Sequence, residues 1–258
     1  MGCLEKGIVA VAFETLRDER GQLPLLTPMS EVAGKTAIQE GAKCLEKPMM
    51  GRGLLLGGVT GVEPAEVLIV GGGVVGSNAA RVAAGLGARV TIMDINLDRL
   101  RHLAEVMPAN VSPIFCDPQA LAEYVMRADL VVGAVLIPGA RAPILIDLPL
   151  LRKMKKGAVI VDVSIDQGGC CVASRPTTHS APVFVVEGVV HYCVANMPGA
   201  VGRTSSQALC NATLPYCRKL AEGLDLFLQE SPGQAAALNL RAGRIVCPAV
   251  AATFPDLM

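Results

Sequence analysis

A glycine pattern between two apolar runs narrows the possible folds more than any other feature. In Val67-Leu-Ile-Val-Gly71-Gly-Gly73-Val-Val-Gly76, the pattern G-x-G-x-x-G follows a β-branched run and precedes a predicted helix. Asp94 ends the next predicted strand, 18 residues beyond Gly76. This order is the fingerprint of a dinucleotide-binding strand–helix–strand unit. Gly71 would permit the tight turn, Gly73 would let the backbone approach a pyrophosphate, and Gly76 would allow close packing of helix on strand.

The side chain of Asp94 also predicts which dinucleotide binds. A carboxylate at this position accepts hydrogen bonds from the ribose hydroxyls, and its charge repels the additional phosphate of NADP. The pattern therefore favours NAD.

Apolar β-branched runs recur along the chain and predict five strands. They comprise residues 67–70, 89–94, 129–135, 158–163 and 189–194. Their spacing of roughly 20 to 35 residues is typical of alternating strands and helices. Each run is almost continuously apolar, as in parallel strands that are covered on both faces. We therefore predict an α/β fold with a doubly wound parallel sheet, the Rossmann type.

Helical patterns fill the intervals between these strands. Residues 76–86 and 97–106 predict two short helices, and a longer one extends from 28 to about 47 with Ser30 as its candidate N-cap. Residues 205–222 and 224–230 predict helices near the end of the chain, whereas residues 7–14 could form a strand. We expect three parts: residues 1–26, a dinucleotide-binding domain over 27–203, and a helical segment over 204–258.

Composition excludes several functional classes. Apolar residues make up 52% of the 258 residues, too many for a disordered chain. Lys and Arg (23) balance Asp and Glu (23), so the net charge gives no footprint for nucleic acid or an anionic membrane. The nine cysteines include no C-x-x-C pair, and no histidine lies at zinc spacing, so neither a disulfide framework nor a metal site is expected.

The chain also lacks the sequence signals of a membrane or exported protein. Its longest uncharged run, residues 188–202, has 15 residues, fewer than the roughly 18 that a spanning helix needs. Glu5 and Lys6 interrupt the start, where a secretory signal would be apolar. We expect a cytoplasmic protein.

Polar residues cluster where predicted strands end, the position at which open α/β sheets bind ligands. Asp162 lies within a strand and is interpreted as a structural carboxylate, whereas Asp166 follows in a loop that could face a nicotinamide ring. Asn196 could bind a cofactor or substrate. His191 lies inside an apolar run and is interpreted as a hydrogen-bonded core residue.

Several motifs together carry a resemblance to a known family. They are Leu26-Thr-Pro-Met-Ser-Glu-Val-Ala-Gly, Leu54-Leu-Leu-Gly-Gly-Val, Gly133-Ala-Val-Leu-Ile-Pro-Gly-Ala, residues 162–169, and Val194-Ala-Asn-Met-Pro-Gly-Ala-Val. The chain resembles the NAD-dependent alanine dehydrogenases, which are related to the NAD(H)-binding subunit of nicotinamide nucleotide transhydrogenase. The resemblance extends from about residue 1 to 250. It implies oxidative deamination of L-alanine to pyruvate and ammonia, with reversible transfer of a hydride to NAD.

The resemblance also implies the site residues. Asp166 matches the family's catalytic aspartate, which could orient the attacking water or accept a proton. Together with the glycine turn, the implied NAD site comprises Ser30, Gly71, Gly73, Val74, Val75, Gly76, Asp94, Arg99, Cys116, Val135, Leu136, Val163, Ser164, Ile165, Asp166, Arg175, Val194, Ala195, Asn196 and Met197.

The family's substrate-binding Arg and Lys and its catalytic His are expected in a segment that precedes the part matched by residues 1–25. None of His102, His179 and His191 matches that histidine's position. Three interpretations therefore stay open: a shortened alanine dehydrogenase, a non-catalytic NAD-binding module that pairs with a separate substrate domain or a transhydrogenase-like partner, and a poorly folded remnant. The family resemblance also implies a homohexamer.

Overall fold

A computed structural model of the chain describes residues 2–136 and 141–254. The chain divides into two compact units, one of residues 30–200 and the other of residues 1–29 with 201–258. Within the described residues the strands are β1 Ala10–Val11, β2 Glu66–Val70, β3 Arg89–Asp94, β4 Val111–Phe115, β5 Leu130–Gly133, β6 Val159–Asp162, β7 Val183–Val186, β8 Val189–Tyr192, β9 Leu238–Arg241 and β10 Arg244–Ile245.

The described α-helices are α1 Gly2–Glu5, α2 Thr27–Cys44, α3 Val74–Gly85, α4 Leu97–Val106, α5 Pro118–Arg127, α6 Leu148–Lys153, α7 Gly202–Glu222, α8 Leu224–Glu230, α9 Pro232–Ala235 and α10 Pro248–Thr253. Short 3₁₀ turns occupy Lys47–Met49, Val163–Gln167 and Met197–Val201. No described helix combines the length and apolar character that crossing a bilayer requires.

Seven of the described strands form one twisted sheet in the unit of residues 30–200. Their order is β4-β3-β2-β5-β6-β8-β7, and every pairing is parallel except that of β7 with β8. Strands β2, β3 and β4 lie side by side in chain order from the middle of the sheet to one edge. Strand β5 then pairs with the other side of β2. This reversal confirms the predicted doubly wound fold, and it opens a crevice at the carboxyl ends of β2 and β5.

Both faces of the sheet are covered, as the continuous apolar strands predict. On one face Val67 and Ile69 of β2 pack in the cluster that contains Ala80 of α3. On the other face Leu68 packs in the cluster that contains Leu121 of α5. Because α3 presents small side chains to the sheet, its backbone lies close to the strands and is fixed relative to the glycine turn.

The other unit has its own small core. Strand β9 pairs antiparallel with both β1 and β10, and Ala10 of β1 lies opposite Leu240 of β9. Leu16, Leu25 and Phe227 are buried together in this unit. The strand predicted over residues 7–14 is therefore real but only two residues long.

The start of α2 differs from its prediction. The helix begins at Thr27, so Ser30 lies within its first turn and is not its N-cap. Pro28 explains the difference, since proline fits the first turn of a helix, where its missing N–H would have no partner. Thr27 instead donates its hydroxyl to the carbonyl of Leu23 at 3.0 Å.

Candidate functional site

The glycine turn at the end of β2 leaves no room for side chains at two of its positions. Gly71 has a φ of +106°, and a Cβ there would lie 2.4 Å from the carbonyl oxygen of Ala134, which follows the neighbouring strand β5. A Cβ on Gly76 would lie 1.8 Å from the carbonyl oxygen of Gly71. Gly73 differs, because a Cβ there would meet nothing within 4 Å. The turn therefore faces open space at Gly73.

Helix α3 begins at this open position without a side-chain cap. Gly73 is its N-cap residue, and no side chain accepts a hydrogen bond from the first helical amides. The amide of Ser77 donates to the carbonyl of Gly73 at 2.9 Å, which leaves the amides of Val74, Val75 and Gly76 at the helix end. Free amides and the positive end of the helix dipole together favour an anion such as a phosphate.

Asp94 and Arg99 bond the two backbone groups of Gly72, its amide and its carbonyl, in the turn. Asp94 Oδ2 accepts a hydrogen bond from the amide of Gly72 at 2.7 Å, and its Oδ1 accepts one from the amide of Asn96 at 2.9 Å. Arg99 Nε donates to the carbonyl oxygen of Gly72 at 2.5 Å. Partial burial lowers the pKa of Arg99, and nearby Asp94 opposes that shift. Each carboxylate oxygen of Asp94 retains acceptor capacity for a ligand hydroxyl.

A cleft of about 510 Å³ lies beyond Asp94, where β3 and β4 end. Its lining is mainly apolar and includes Ile95, Cys116, Leu121, Ile144 and Leu150. Burial is the main reason that the pKa of the Cys116 thiol is raised, so this side chain is a neutral thiol near pH 7. The cleft suits a flat, weakly polar group.

Asp162, at the end of β6, is fully buried and accepts several hydrogen bonds from the loop that follows it. The donors include the amides of Ser164 and Cys170 and the hydroxyl of Ser174. This confirms the interpretation of Asp162 as a satisfied structural carboxylate. Asp166 lies within the same loop, in the 3₁₀ turn Val163–Gln167, and its side chain is exposed.

The loop after β8 carries the last predicted segment of the site. Asn196 has a φ of +55°, a left-handed conformation that asparagine tolerates better than most residues. Its carbonyl oxygen lies 3.3 Å from His179 Nε2, and a Cβ on Gly199 would lie 3.4 Å from that same nitrogen. His179 therefore packs against the loop beside Gly199.

Comparison with known proteins identifies the family. The alanine dehydrogenase/PNT C-terminal domain matches residues 37–248. The chain belongs to the alanine dehydrogenase/PNT family. It is 53% identical to an alanine dehydrogenase of Halomonas elongata over 254 residues, which cover 98% of this chain and 68% of that protein. The chain thus spans about two thirds of the length of that relative.

Two solved structures support the fold of this family member. One, an L-alanine dehydrogenase, superposes with a TM-score of 0.95 at 50% identity and covers 99% of this chain and 71% of its own. The other, a transhydrogenase from Sinorhizobium meliloti, superposes with a TM-score of 0.77 at 23% identity and covers 95% of this chain and 68% of its own. The second similarity shows the shared fold alone.

In this alanine dehydrogenase/PNT family member, most of the predicted site residues lie in loops at the carboxyl edge of the sheet. Val74, Val75 and Gly76 lie in the first turn of α3, Arg99 lies in α4, and Ser30 comes from α2. It lies one turn before Gly34, where a Cβ would be 2.2 Å from the carbonyl oxygen of Val75, so it shares the helix face that contacts α3. Residues 137–140 of the motif at 133–140 lie outside the described residues.

Exposure separates the predicted residues into three groups. Those exposed to solvent are Gly73, Val74, Leu136, Asp166, Arg175, Ala195 and Asn196. Those partly exposed are Ser30, Gly71, Val75, Asp94, Arg99, Cys116, Val135 and Val163. Those buried are Gly76, Ser164, Ile165, Val194 and Met197. Apart from Gly76 of α3, the buried residues have their side chains beneath the surface of the loops after β6 and β8.

The histidines occupy three different environments. His102 is exposed on α4, and His179 packs against the loop after β8. His191 is fully buried, but neither ring nitrogen has a hydrogen-bond partner, so the expectation that it is hydrogen-bonded is wrong. Its ring stacks on Phe184 of β7 with centroids 5.0 Å apart. Burial lowers the pKa of His191 to about 4, which keeps it neutral at pH 7.

Sequence reasoning missed Ser174, and it placed Ser164 in the NAD site without its supporting hydrogen bond in this family member. Ser174 closes the loop onto Asp162, and Ser164 donates its hydroxyl to the carbonyl of Val135 at 2.8 Å. Serine is common in loops, so no local signal predicts either hydrogen bond. Within the described residues, no group of three or more His, Cys, Asp or Glu side chains could hold a metal ion.

Proposed function

We propose that this chain binds NAD at the carboxyl edge of its sheet and carries out the NAD-dependent deamination of L-alanine to pyruvate and ammonia. The observation that carries the proposal is the uncapped start of α3 at the glycine turn, with Asp94 on the adjacent strand. The curated relatives named alanine dehydrogenase support the reaction.

The described residues suit the pyrophosphate, the adenosine half and the nicotinamide half of NAD. The amides at the start of α3 and the open space at Gly73 suit the pyrophosphate, because a Cβ there would occupy that space. Asp94 is partly exposed and can accept from the ribose hydroxyls of the adenosine half. The apolar cleft beside Ile95 and Cys116 suits the adenine ring. The loops after β6 and β8 would then hold the nicotinamide half.

When bound, NAD would supply the nicotinamide ring that accepts a hydride from the substrate carbon bearing the amino group. The chain's own contribution is to orient the reactants and move protons. Asp166 is a carboxylate on an exposed turn, so it can orient a water molecule or accept its proton. Asn196 and the backbone of Met197 would line the nicotinamide end, while Arg175, 4.4 Å above the Phe184 ring, offers a cation.

Isothermal calorimetry and a spectrophotometric assay test the proposal directly. The purified chain should bind NAD more tightly than NADP, and it should form NADH when L-alanine is added. Absence of binding for both cofactors at millimolar concentration would refute the site. Binding without NADH formation would refute deamination by this chain and would support a role as an NAD-binding module.

Two further properties belong to this proposal. The family resemblance suggests a homohexamer, and the composition suggests a cytoplasmic location. Analytical ultracentrifugation should give the mass of a closed oligomer, whereas a monomer at micromolar concentration would refute the assembly. Cell fractionation tests the location.

A further inference from the structure

We propose that Asp162 is a positioning residue for the cofactor site: its buried carboxylate closes the loop of residues 163–175 and so fixes Asp166 and Arg175. The proposal rests on the proposed function for its consequence at the cofactor, but the closing of the loop is a property of the chain alone. Asp162 is one of the most deeply buried charged side chains described, with 0% of its surface exposed.

The hydrogen bonds of Asp162 come from both ends of the loop. At the start, the amide of Ser164 donates to Oδ1 at 3.1 Å. From the far side, the amide of Cys170 donates to Oδ2 at 2.8 Å and the hydroxyl of Ser174 at 2.5 Å. The amide of Cys171 adds a longer contact to Oδ2 at 3.4 Å. One carboxylate therefore ties together four positions that span eleven residues of sequence.

No basic side chain forms an ion pair with Asp162 among the residues that the structure describes. Burial of an ionised carboxylate is costly unless hydrogen-bond donors replace the lost water. Every donor here belongs to the loop, with the thiol of Cys170 at 3.5 Å from Oδ1 as a weaker one. The favourable interactions of this carboxylate therefore depend on the loop staying closed.

The backbone around Asp162 is shaped to admit the carboxylate. A Cβ on Gly169 would lie 2.8 Å from Asp162 Oδ2, and Gly169 has a φ of +81°. A Cβ on Gly133, at the end of β5, would lie 3.1 Å from Asp162 Oδ1. Glycine at both positions lets the loop and the neighbouring strand approach the carboxylate closely.

The closed loop reaches three parts of the proposed cofactor site. Asp166 lies between the anchored Ser164 and Cys170, and Arg175 directly follows Ser174. The hydroxyl of Ser164 continues the chain of hydrogen bonds to Val135 in the loop after β5. Loss of the anchor would free Asp166 and Arg175 while leaving the glycine turn at β2 intact.

The test compares Asp162→Asn with Asp129→Asn. Asp129 is the matched control, since it is also buried and accepts an amide, that of Glu66, at 3.0 Å. It differs in location, because it lies where β5 begins, at the opposite edge of the sheet. In Asp162→Asn, the side-chain NH₂ group would face the amide and hydroxyl donors of the loop. It cannot accept their hydrogen bonds, so part of the network would be lost.

Three measurements distinguish positioning from general stability. In the cofactor-free chain, hydrogen exchange of amides 163–175 should become at least about tenfold faster in Asp162→Asn and stay unchanged in Asp129→Asn. The Kd for NAD should rise at least about tenfold in Asp162→Asn only. The Kd for AMP, which reports the adenosine half, should stay within about twofold in both variants.

Equal loop exchange and equal NAD affinity in the two variants would overturn the proposal. If Asp162→Asn does not fold, Ser174→Ala decides, because it removes one loop-closing donor and leaves the carboxylate. Unchanged loop exchange in Ser174→Ala would then overturn the proposal, and faster exchange confined to the loop would support it. If the unaltered chain binds no NAD, the proposed function fails, while the exchange comparison still decides whether Asp162 closes the loop.

Discussion

Two buried aspartates, one at each edge of the mostly parallel sheet, have different kinds of partners. At the amino edge, Asp129 has Lys155 Nζ 2.9 Å and Arg52 Nε 3.1 Å from the same oxygen. At the carboxyl edge, Asp162 is surrounded by amides and a hydroxyl from its own loop. The first carboxylate joins side chains from distant parts of the chain, and the second gives a loop its shape.

A second contrast lies within the carboxyl edge, where α3, α4 and α5 all begin. At the carboxyl edge, α3 starts with no side-chain cap. By comparison, α4 and α5, which lie in the same unit, have Asn96 and Asp117 as N-caps that accept two amides each. An uncapped helix beside an open turn lacks a stabilising contact that its neighbours have. In the proposed site, the pyrophosphate would supply at the start of α3 the contacts that the cap side chains supply in α4 and α5.

The largest effect is expected from Asp129→Ala. This substitution leaves Lys155 and Arg52 without their shared partner and should lower the free energy of unfolding by about 3 kcal/mol, because both cations are only about one-third exposed. NAD affinity should not change. Chemical denaturation with calorimetry would measure both, and a matching loss of NAD affinity would break the distinction between the edges.

Two glycines at the ends of α3, Gly73 and Gly85, allow a test in which NAD affinity should change much more than stability. Gly73→Ala should weaken NAD binding about thirtyfold, since its Cβ would point into the space proposed for the pyrophosphate, and should lower the free energy of unfolding by no more than about 1 kcal/mol, the cost of alanine at an N-cap. Gly85→Ala is the control, because a Cβ there also meets nothing within 4 Å, but at the other end of the helix. Equal NAD affinity in the two variants, measured by calorimetry, would contradict the assignment of the pyrophosphate.

Asp94→Ala tests the adenosine half of the same edge. Removing the carboxylate should weaken NAD binding about tenfold and reduce the preference over NADP, since the charge that repels the additional phosphate is lost. Asp98→Ala serves as the control, because Asp98 is exposed and pairs only with Arg101 among the described contacts of its side chain. An unchanged ratio of the two Kd values in Asp94→Ala would rule out the ribose assignment.

The smallest effect at neutral pH concerns His191, which lies in the interior of the sheet. Its pKa is lowered from 6.5 to about 4 by burial, so the unfolded chain takes up a proton at a higher pH than the folded chain. Stability from this group is complete above pH 6.5 and is lost as the pH falls towards 4, by up to about 1.4 kcal/mol per pH unit. His191→Phe should remove that slope in denaturation curves, and an unchanged slope would assign it to other groups.

The sequence predicted the central sheet well because its strands are buried on both faces. Strand β3 and helix α4 have the predicted bounds, 89–94 and 97–106. Strand β4 was missed because it lies at the sheet edge, carries Pro113 and is only partly buried, so its apolar signal is weak. Helix α5 was missed with it, although Asp117 and Pro118 form a recognisable start.

Other features depend on contacts that no local pattern reveals. The pairing of Ala10 with Leu240 joins residues at the two ends of the chain. Three features of the site could be predicted because each lies at the end of an apolar strand. They are the glycine turn after β2, Asp94 at the end of β3 and the structural role of Asp162 at the end of β6. The closing of the loop by Ser174 and the position of His179 required the tertiary structure. The predicted ligand contacts themselves stay predictions.

The close approach of β5 and the loop after β6 has an evolutionary consequence. A Cβ on Gly133 would lie 2.3 Å from the sulfur of Cys170, so these two positions share one small volume. A larger residue at 133 would require the side chain at 170 to move or to be smaller. Natural variation at the two positions should therefore be epistatic, with the order of the substitutions set by the available space.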